Sequence, residues 1–179
     1  MKLRRRVCAC LLFIGAVPLL SGADEAGDIA RLRVRDLLIP VQSVAPARLA
    51  DTYQQARAGG QRAHEALDIM APRGTPVLAV EDGVITKLFL SKAGGITIYQ
   101  YDRAREFAYY YAHLDRYAPG LQEGSAVRKA QVIGYVGSTG NASSEAPHLH
   151  FAIFRLGPGR EWWRGTPINP FSVWRQTTP

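Results

Sequence analysis

Cysteine is nearly absent from this 179-residue chain, and the two that occur, Cys8 and Cys10, sit at the start of an apolar run. Beyond that run no thiol remains, which excludes a disulfide framework and any thiolate zinc site. A bound metal would therefore need histidine and carboxylate ligands. Long apolar stretches are equally scarce. The one present, Val7 to about Leu20, follows Lys2, Arg4, Arg5 and Arg6 and precedes Ser21-Gly22-Ala23. That order of basic, apolar and small residues reads as a signal peptide over 1–23, cleaved after Ala23, with an exported product, periplasmic or secreted. The rival reading is an uncleaved anchor, because about 17 uncharged residues reach the lower limit for a spanning helix. Cleavage would leave no stable membrane insertion. Strong charge of one sign is missing too. The leader holds four of the 22 basic residues and none of the 15 acidic ones, so the remainder carries 18 against 15, a net of +3. This suits loose attraction to an anionic polymer such as a cell wall and makes no case for nucleic acid.

A long 3.6-residue period is lacking from Ile69 onward. What stands there instead is a series of short β-branched and apolar runs: Val77 to Val80, Val84 to Leu90, Ile96 to Tyr101, Phe107 to Leu114, Ala130 to Val136 and His148 to Arg155, separated by glycine-rich turns. Asp82-Gly83 reads as a hairpin turn between the first two. The series predicts a mainly β, single domain of antiparallel strands, as a curved sheet or sandwich with a substrate groove, over residues 62–179. Residues 24–61 are expected to form a lead-in segment packed on that domain, ending at Gly59-Gly60. Within it, 31–35 alternates as a strand would, and 47–58 is rich in helix formers with a thin apolar stripe at Leu49 and Tyr53. Trp162, Trp163 and Trp174 in the tail are expected to close one end of the core.

Histidine is also rare, with four in the chain: His64, His113, His148 and His150. In a strand, side chains two apart share a side, with roughly 6.6 Å between Cα atoms, so His148 and His150 can reach one site while Leu149, Phe151 and Ile153 pack behind. His64 and Asp68 are four apart beside glycines and a proline that disfavour a helix. A straight strand would separate them by about 13 Å, so a shared site requires a bend. In isolation the pair reads as an exposed loop. His113 ends an aromatic strand whose alternation places Tyr109 and Tyr111 on its face and Tyr110 and Leu114 opposite, a pattern equally suited to core packing. Glu65 reads as solvated. Gly137-Ser138-Thr139-Gly140-Asn141 fits neither Gly-x-Ser-x-Gly nor a phosphate loop, and reads as a turn on the rim of a groove.

Taken together, His64-x-x-x-Asp68, Tyr111-Ala112-His113-Leu114 and Pro147-His148-Leu149-His150-Phe151, with the turns between them, resemble the lysostaphin-type zinc peptidases, the LytM or M23 family. The likeness runs from roughly Pro40 to Phe171. It implies a metalloendopeptidase of the cell wall, acting as a monomer on peptide stems or cross-links of peptidoglycan. It also implies that His64, Asp68 and His150 bind zinc (Zn2+) while His113 and His148 assist catalysis. The family commonly has glycine where this chain has Ala66, so a left-handed backbone at that position would strain the ligand loop. Two imidazoles and one carboxylate leave an open position for water, as in catalytic zinc sites. Two other readings are a non-catalytic wall-binding scaffold or activator, whose relatives usually lack ligands, and a phosphohistidine carrier, which an export signal disfavours.

Overall fold

The computed structural model describes residues 21–175, so residues 1–20 of the expected leader and residues 176–179 lie outside the described part. Helix α1 spans Ser21–Val34. It is followed by strands β1 (Ala56–Arg57), β2 (Arg62–Ala63), β3 (Leu67–Met70), β4 (Pro76–Leu78), β5 (Gly83–Ser91) and β6 (Gly95–Asp102). Then come β7 (Phe107–Tyr117), β8 (Ala126–Val127), β9 (Val132–Val136), β10 (His148–Leu156), β11 (Gly165–Ile168) and a short helix α2 (Pro170–Trp174). The fold is mainly β, as the runs of β-branched and aromatic residues predict. Among the described residues no helix is long and apolar enough to cross a membrane.

One sheet carries the strands in the order β11-β10-β7-β6-β5-β8, with β3 on β10, and β9 bridging β7 and β4. All pairings are antiparallel, and β1 and β2 form a separate hairpin. Strand β10 is central: β3 pairs with its first half, β11 with its second, and β7 runs along its other edge. Its alternation is as read from sequence, for Leu149, Phe151 and Ile153 are fully buried against Leu67, Ile69, Tyr109 and Tyr111 in the core.

Several local readings are corrected or resolved. Residues 31–34 close a helix rather than form a strand, because Asp28 and Leu32, four apart, both face the domain while Val34 is 88% exposed. Arg31 and Arg35, again four apart, lie over the Phe107 ring. Burying Leu32, Leu37, Ile39 and Val41 against the core contributes about 2 kcal/mol each, which is what docks this segment. Residues 47–58 hold a 3₁₀ turn, Pro46–Arg48, the two-residue β1 and the start of a second 3₁₀ turn, Ala58–Gly60, since the thin apolar stripe offers a longer helix too little to bury.

Asp82-Gly83 does not join a hairpin. Strand β4 pairs with β9 and β5 with β6 and β8, so the chain crosses over at this point. Gly83 is needed for another reason: a Cβ there would stand 2.0 Å from the Tyr101 carbonyl oxygen. The tryptophans also divide. Trp174 packs on Phe151 and donates to the Leu37 carbonyl at 2.8 Å, closing the core as expected. Trp162 instead lies against Phe89 and Tyr99 on the outer face of the sheet, with the exposed Trp163 across it. The β10–β11 connection carries them past the core end.

Candidate metal centre

The five polar residues singled out in the sequence meet in one cleft of about 510 Å3, lined also by Arg57, Arg62, Glu65, Tyr110 and Asn141. His148 and His150 project from the start of β10. Opposite them on β3, Asp68 is the direct cross-strand partner of His150. His64 reaches the same point because Glu65 adopts a left-handed backbone, φ 57°, and so supplies the required bend. The strain therefore sits at Glu65 rather than at Ala66, which is buried and is absent from the left-handed positions. Alanine in place of the usual glycine is accommodated. The Glu65 side chain is exposed at the cleft wall.

His113 arrives by a different device. It sits in β7 with φ 60°, where the pairing with β6 and β9 slips. This bulge reverses the alternation at one residue and corrects the face assignment: Tyr110, not Tyr109 or Tyr111, shares the cleft with His113. Tyr109 and Tyr111 are fully buried beneath, their hydroxyls donating to Glu81 and to Gln100. Leu114 is buried with them. Left-handed backbone at two non-glycine residues, one beside His64 and one at His113 itself, is the kind of strain that concentrates at functional sites.

Three atoms define the centre. His64 Nε2 lies 2.9 Å from His150 Nδ1 and 3.1 Å from Asp68 Oδ1, and His150 Nδ1 lies 3.2 Å from the same oxygen. Zinc bonds of about 2.0–2.2 Å at tetrahedral angles set donors about 3.3–3.6 Å apart, so these residues fit one such ion with little movement. His148 Nε2 stands slightly farther off, 3.7 Å from Asp68 Oδ1. The His113 ring lies 5.0 Å from that of His148 and 5.5 Å from that of His150, centre to centre.

The protonation pattern follows from backbone contacts. His64 Nδ1 faces the Thr52 carbonyl at 3.0 Å, His113 Nδ1 the Thr139 carbonyl at 2.8 Å, and His148 Nδ1 the Ala146 carbonyl at 2.9 Å. A carbonyl only accepts, so each Nδ1 carries the proton and each Nε2 keeps its lone pair. His150 alone turns Nδ1 to the centre. Burial lowers the pKa of His113 to about 4, outweighing the hydrogen bond to Thr139, and burial lowers that of His150 as well. Burial opposes ionisation of Asp68, but the contacts its carboxylate makes with the His150 and His64 rings outweigh it and hold the carboxyl well below the usual range. The centre thus brings together two imidazoles and one carboxylate, ligand types that bind a metal in their deprotonated forms.

Of residues 137–141, Asn141 lines the cleft and Thr139 holds His113 through its carbonyl. Gly140 has φ 77°, and a Cβ on it would fall 2.2 Å from the Ala93 carbonyl oxygen. Gly140→Ala should therefore cost at least about 2 kcal/mol in chemical denaturation, through backbone strain and displacement of the Thr139 carbonyl that anchors His113. An unchanged midpoint would show that this loop tolerates a side chain.

Two further contacts were not foreseen. Arg57 Nη2 donates to Asp68 Oδ2 at 2.8 Å, and Thr52 Oγ1 accepts from the Asp68 backbone N–H at 3.0 Å. Both residues lie in the lead-in segment, where neither period nor motif marks them.

A mainly antiparallel fold with a His/Asp/His centre defines a class, and comparison with known proteins supplies the family. Residues 62–170 match the model of Peptidase family M23, and the chain belongs to that family. It is 35% identical over 131 residues to the L-Ala–D-Glu endopeptidase of Bacillus subtilis, covering 70% of this chain and 40% of that protein. It is 41% identical over 113 residues to the DD-carboxypeptidase/endopeptidase Mpg of Neisseria meningitidis serogroup B, covering 63% of this chain and 23% of that protein. The chain thus spans well under half the length of either relative. The catalytic domain of the antimicrobial peptidase lysostaphin from Staphylococcus simulans superposes with a TM-score of 0.57 at 26% identity, over 82% of this chain and 96% of that domain.

Proposed function

We propose that this chain is an exported, monomeric zinc metalloendopeptidase that hydrolyses peptide bonds in the stems or cross-links of bacterial peptidoglycan. The observation that carries the reading is the meeting of His64 Nε2, Asp68 Oδ1 and His150 Nδ1 within bonding reach of one ion. These three would hold zinc. When bound, zinc polarises a carbonyl and lowers the pKa of water at its open position towards about 7. All three donors come from one chain, so no second copy is required. The peptidoglycan substrate is supported by the endopeptidase relatives, and export by the basic, apolar and small-residue order of positions 2–23.

His148 and His113 fill the proton-transfer roles. Each has Nδ1 tied to a backbone carbonyl, so the free Nε2 is a base of fixed orientation at the cleft. One takes a proton from the attacking water as oxygen bonds to the scissile carbon. The same proton then goes to the leaving amine as the C–N bond breaks. The other imidazole can steady the oxygen that gains charge when its Nε2 carries a proton. Burial lowers the pKa of His113 to about 4, which leaves the ring neutral near pH 7.

The test is mass spectrometry of products from defined muropeptides. Purified protein should release peptide fragments, stop when a chelator removes metal, and resume on adding zinc. Undiminished cleavage after complete chelation would contradict the reading, and zinc-independent wall binding without cleavage would favour a scaffold.

A further inference from the structure

We infer that Thr52 and Arg57, both outside the family-matched segment, are positioning residues of the metal centre, holding His64 and Asp68 so that each presents a single donor atom to it. The inference rests on the zinc reading of His64, Asp68 and His150. The contacts are specific. The Thr52 carbonyl accepts from His64 Nδ1–H at 3.0 Å, which leaves Nε2 as the only basic nitrogen of that ring. Its hydroxyl accepts from the Asp68 backbone N–H at 3.0 Å and donates to the Ala66 carbonyl at 3.3 Å, spanning the two ends of the bend. Between them, the Glu65 N–H donates to the Tyr53 carbonyl at 2.9 Å, securing the left-handed residue.

Arg57 acts on the carboxylate. Its Nη2 engages Asp68 Oδ2 at 2.8 Å, while Oδ1 faces the two imidazoles. Its Nη1 donates to Gln55 Oε1 at 3.2 Å, which orients the guanidinium. With Oδ2 occupied, Asp68 can offer one oxygen rather than chelate through two, and the fourth coordination position stays free for water. The arrangement has a cost that marks it as more than surface decoration: Arg57 stands directly opposite Arg62 in the β1–β2 hairpin, and like charges so placed repel. Asp68 offsets the Arg57 charge. Arg62 has no ion-pair partner among the described residues.

The experiment uses the full chain and reads metal binding, not turnover. Zinc affinity is measured by competition with a chromophoric chelator, and coordination by the visible spectrum of the cobalt(II)-loaded protein, for wild type, Arg57→Ala, Arg57→Lys and His150→Ala. Arg57→Ala should weaken zinc binding about 10- to 100-fold. Its cobalt spectrum should shift from the intense bands of a four-coordinate ion towards the weaker ones of a higher-coordinate ion. Arg57→Lys should recover part of both. Should alanine unsettle the hairpin, Arg57→Gln keeps the side-chain stem and gives the same comparison. Wild-type affinity together with an unaltered cobalt spectrum in Arg57→Ala or Arg57→Gln would overturn the positioning role. His150→Ala separates the two levels: if it loses zinc while the Arg57 variants do not, the positioning role alone fails, and if it too keeps stoichiometric zinc, the zinc reading fails.

Discussion

His150→Ala should reduce release of wall peptides by at least about 10³-fold and leave purified protein without stoichiometric zinc. The three donor atoms lie within 3.2 Å of one another, so loss of His150 Nδ1 leaves a two-ligand site. A bound metal supplies several kcal/mol of transition-state stabilisation, and each 1.36 kcal/mol is tenfold in rate, which sets the scale. The fold should survive. His150 lies on the open face of β10, and Leu149 and Phe151 on the buried face keep their packing. Zinc by atomic absorption and peptide release by mass spectrometry, with a thermal melt as the folding control, make the measurement. Retention of both zinc and activity would remove the basis of the metal assignment.

His113→Asn should separate chemistry from metal binding, with a fall of about 10²- to 10⁴-fold in turnover and a full zinc complement. Asparagine is the appropriate replacement because the residue has φ 60°, a conformation that asparagine tolerates better than alanine does. His113 contributes no atom to the three-donor cluster, and its Nδ1 is spent on the Thr139 carbonyl. What the substitution removes is Nε2 as a base or hydrogen-bonding group. Burial already holds His113 neutral down to about pH 4, so the loss should be similar at pH 6 and pH 8. If His113→Asn instead lost zinc along with activity, the residue would belong to the ligand set.

The sequence made β10 legible because two signals agreed there: alternation put Leu149, Phe151 and Ile153 in the core, and the same alternation put both histidines on the other face. The strands of β5, β6, β7 and β9 were legible for the same reason. Alternation failed at His113, where one left-handed residue in a bulge reverses the faces and exchanges Tyr110 for Tyr109 and Tyr111. A period-2 pattern carries no mark of such a bulge. It also failed at residues 31–34, where Leu32 and Val34 look alike in a strand pattern but a helix buries one and exposes the other. Asp82-Gly83 was misread because local turn chemistry does not reveal which distant strand will pair. Thr52 and Arg57 left no trace at all. Their partners lie up to 16 positions away across an irregular segment, and only the folded chain brings them to Asp68.

The central claim is that His64, Asp68 and His150 share one ion, and the most direct measurement is anomalous diffraction at the zinc edge from crystals of the zinc-loaded protein. A single strong peak within bonding distance of His64 Nε2, Asp68 Oδ1 and His150 Nδ1 is the predicted result. A peak elsewhere, or none at this centre under saturating zinc, would contradict the account.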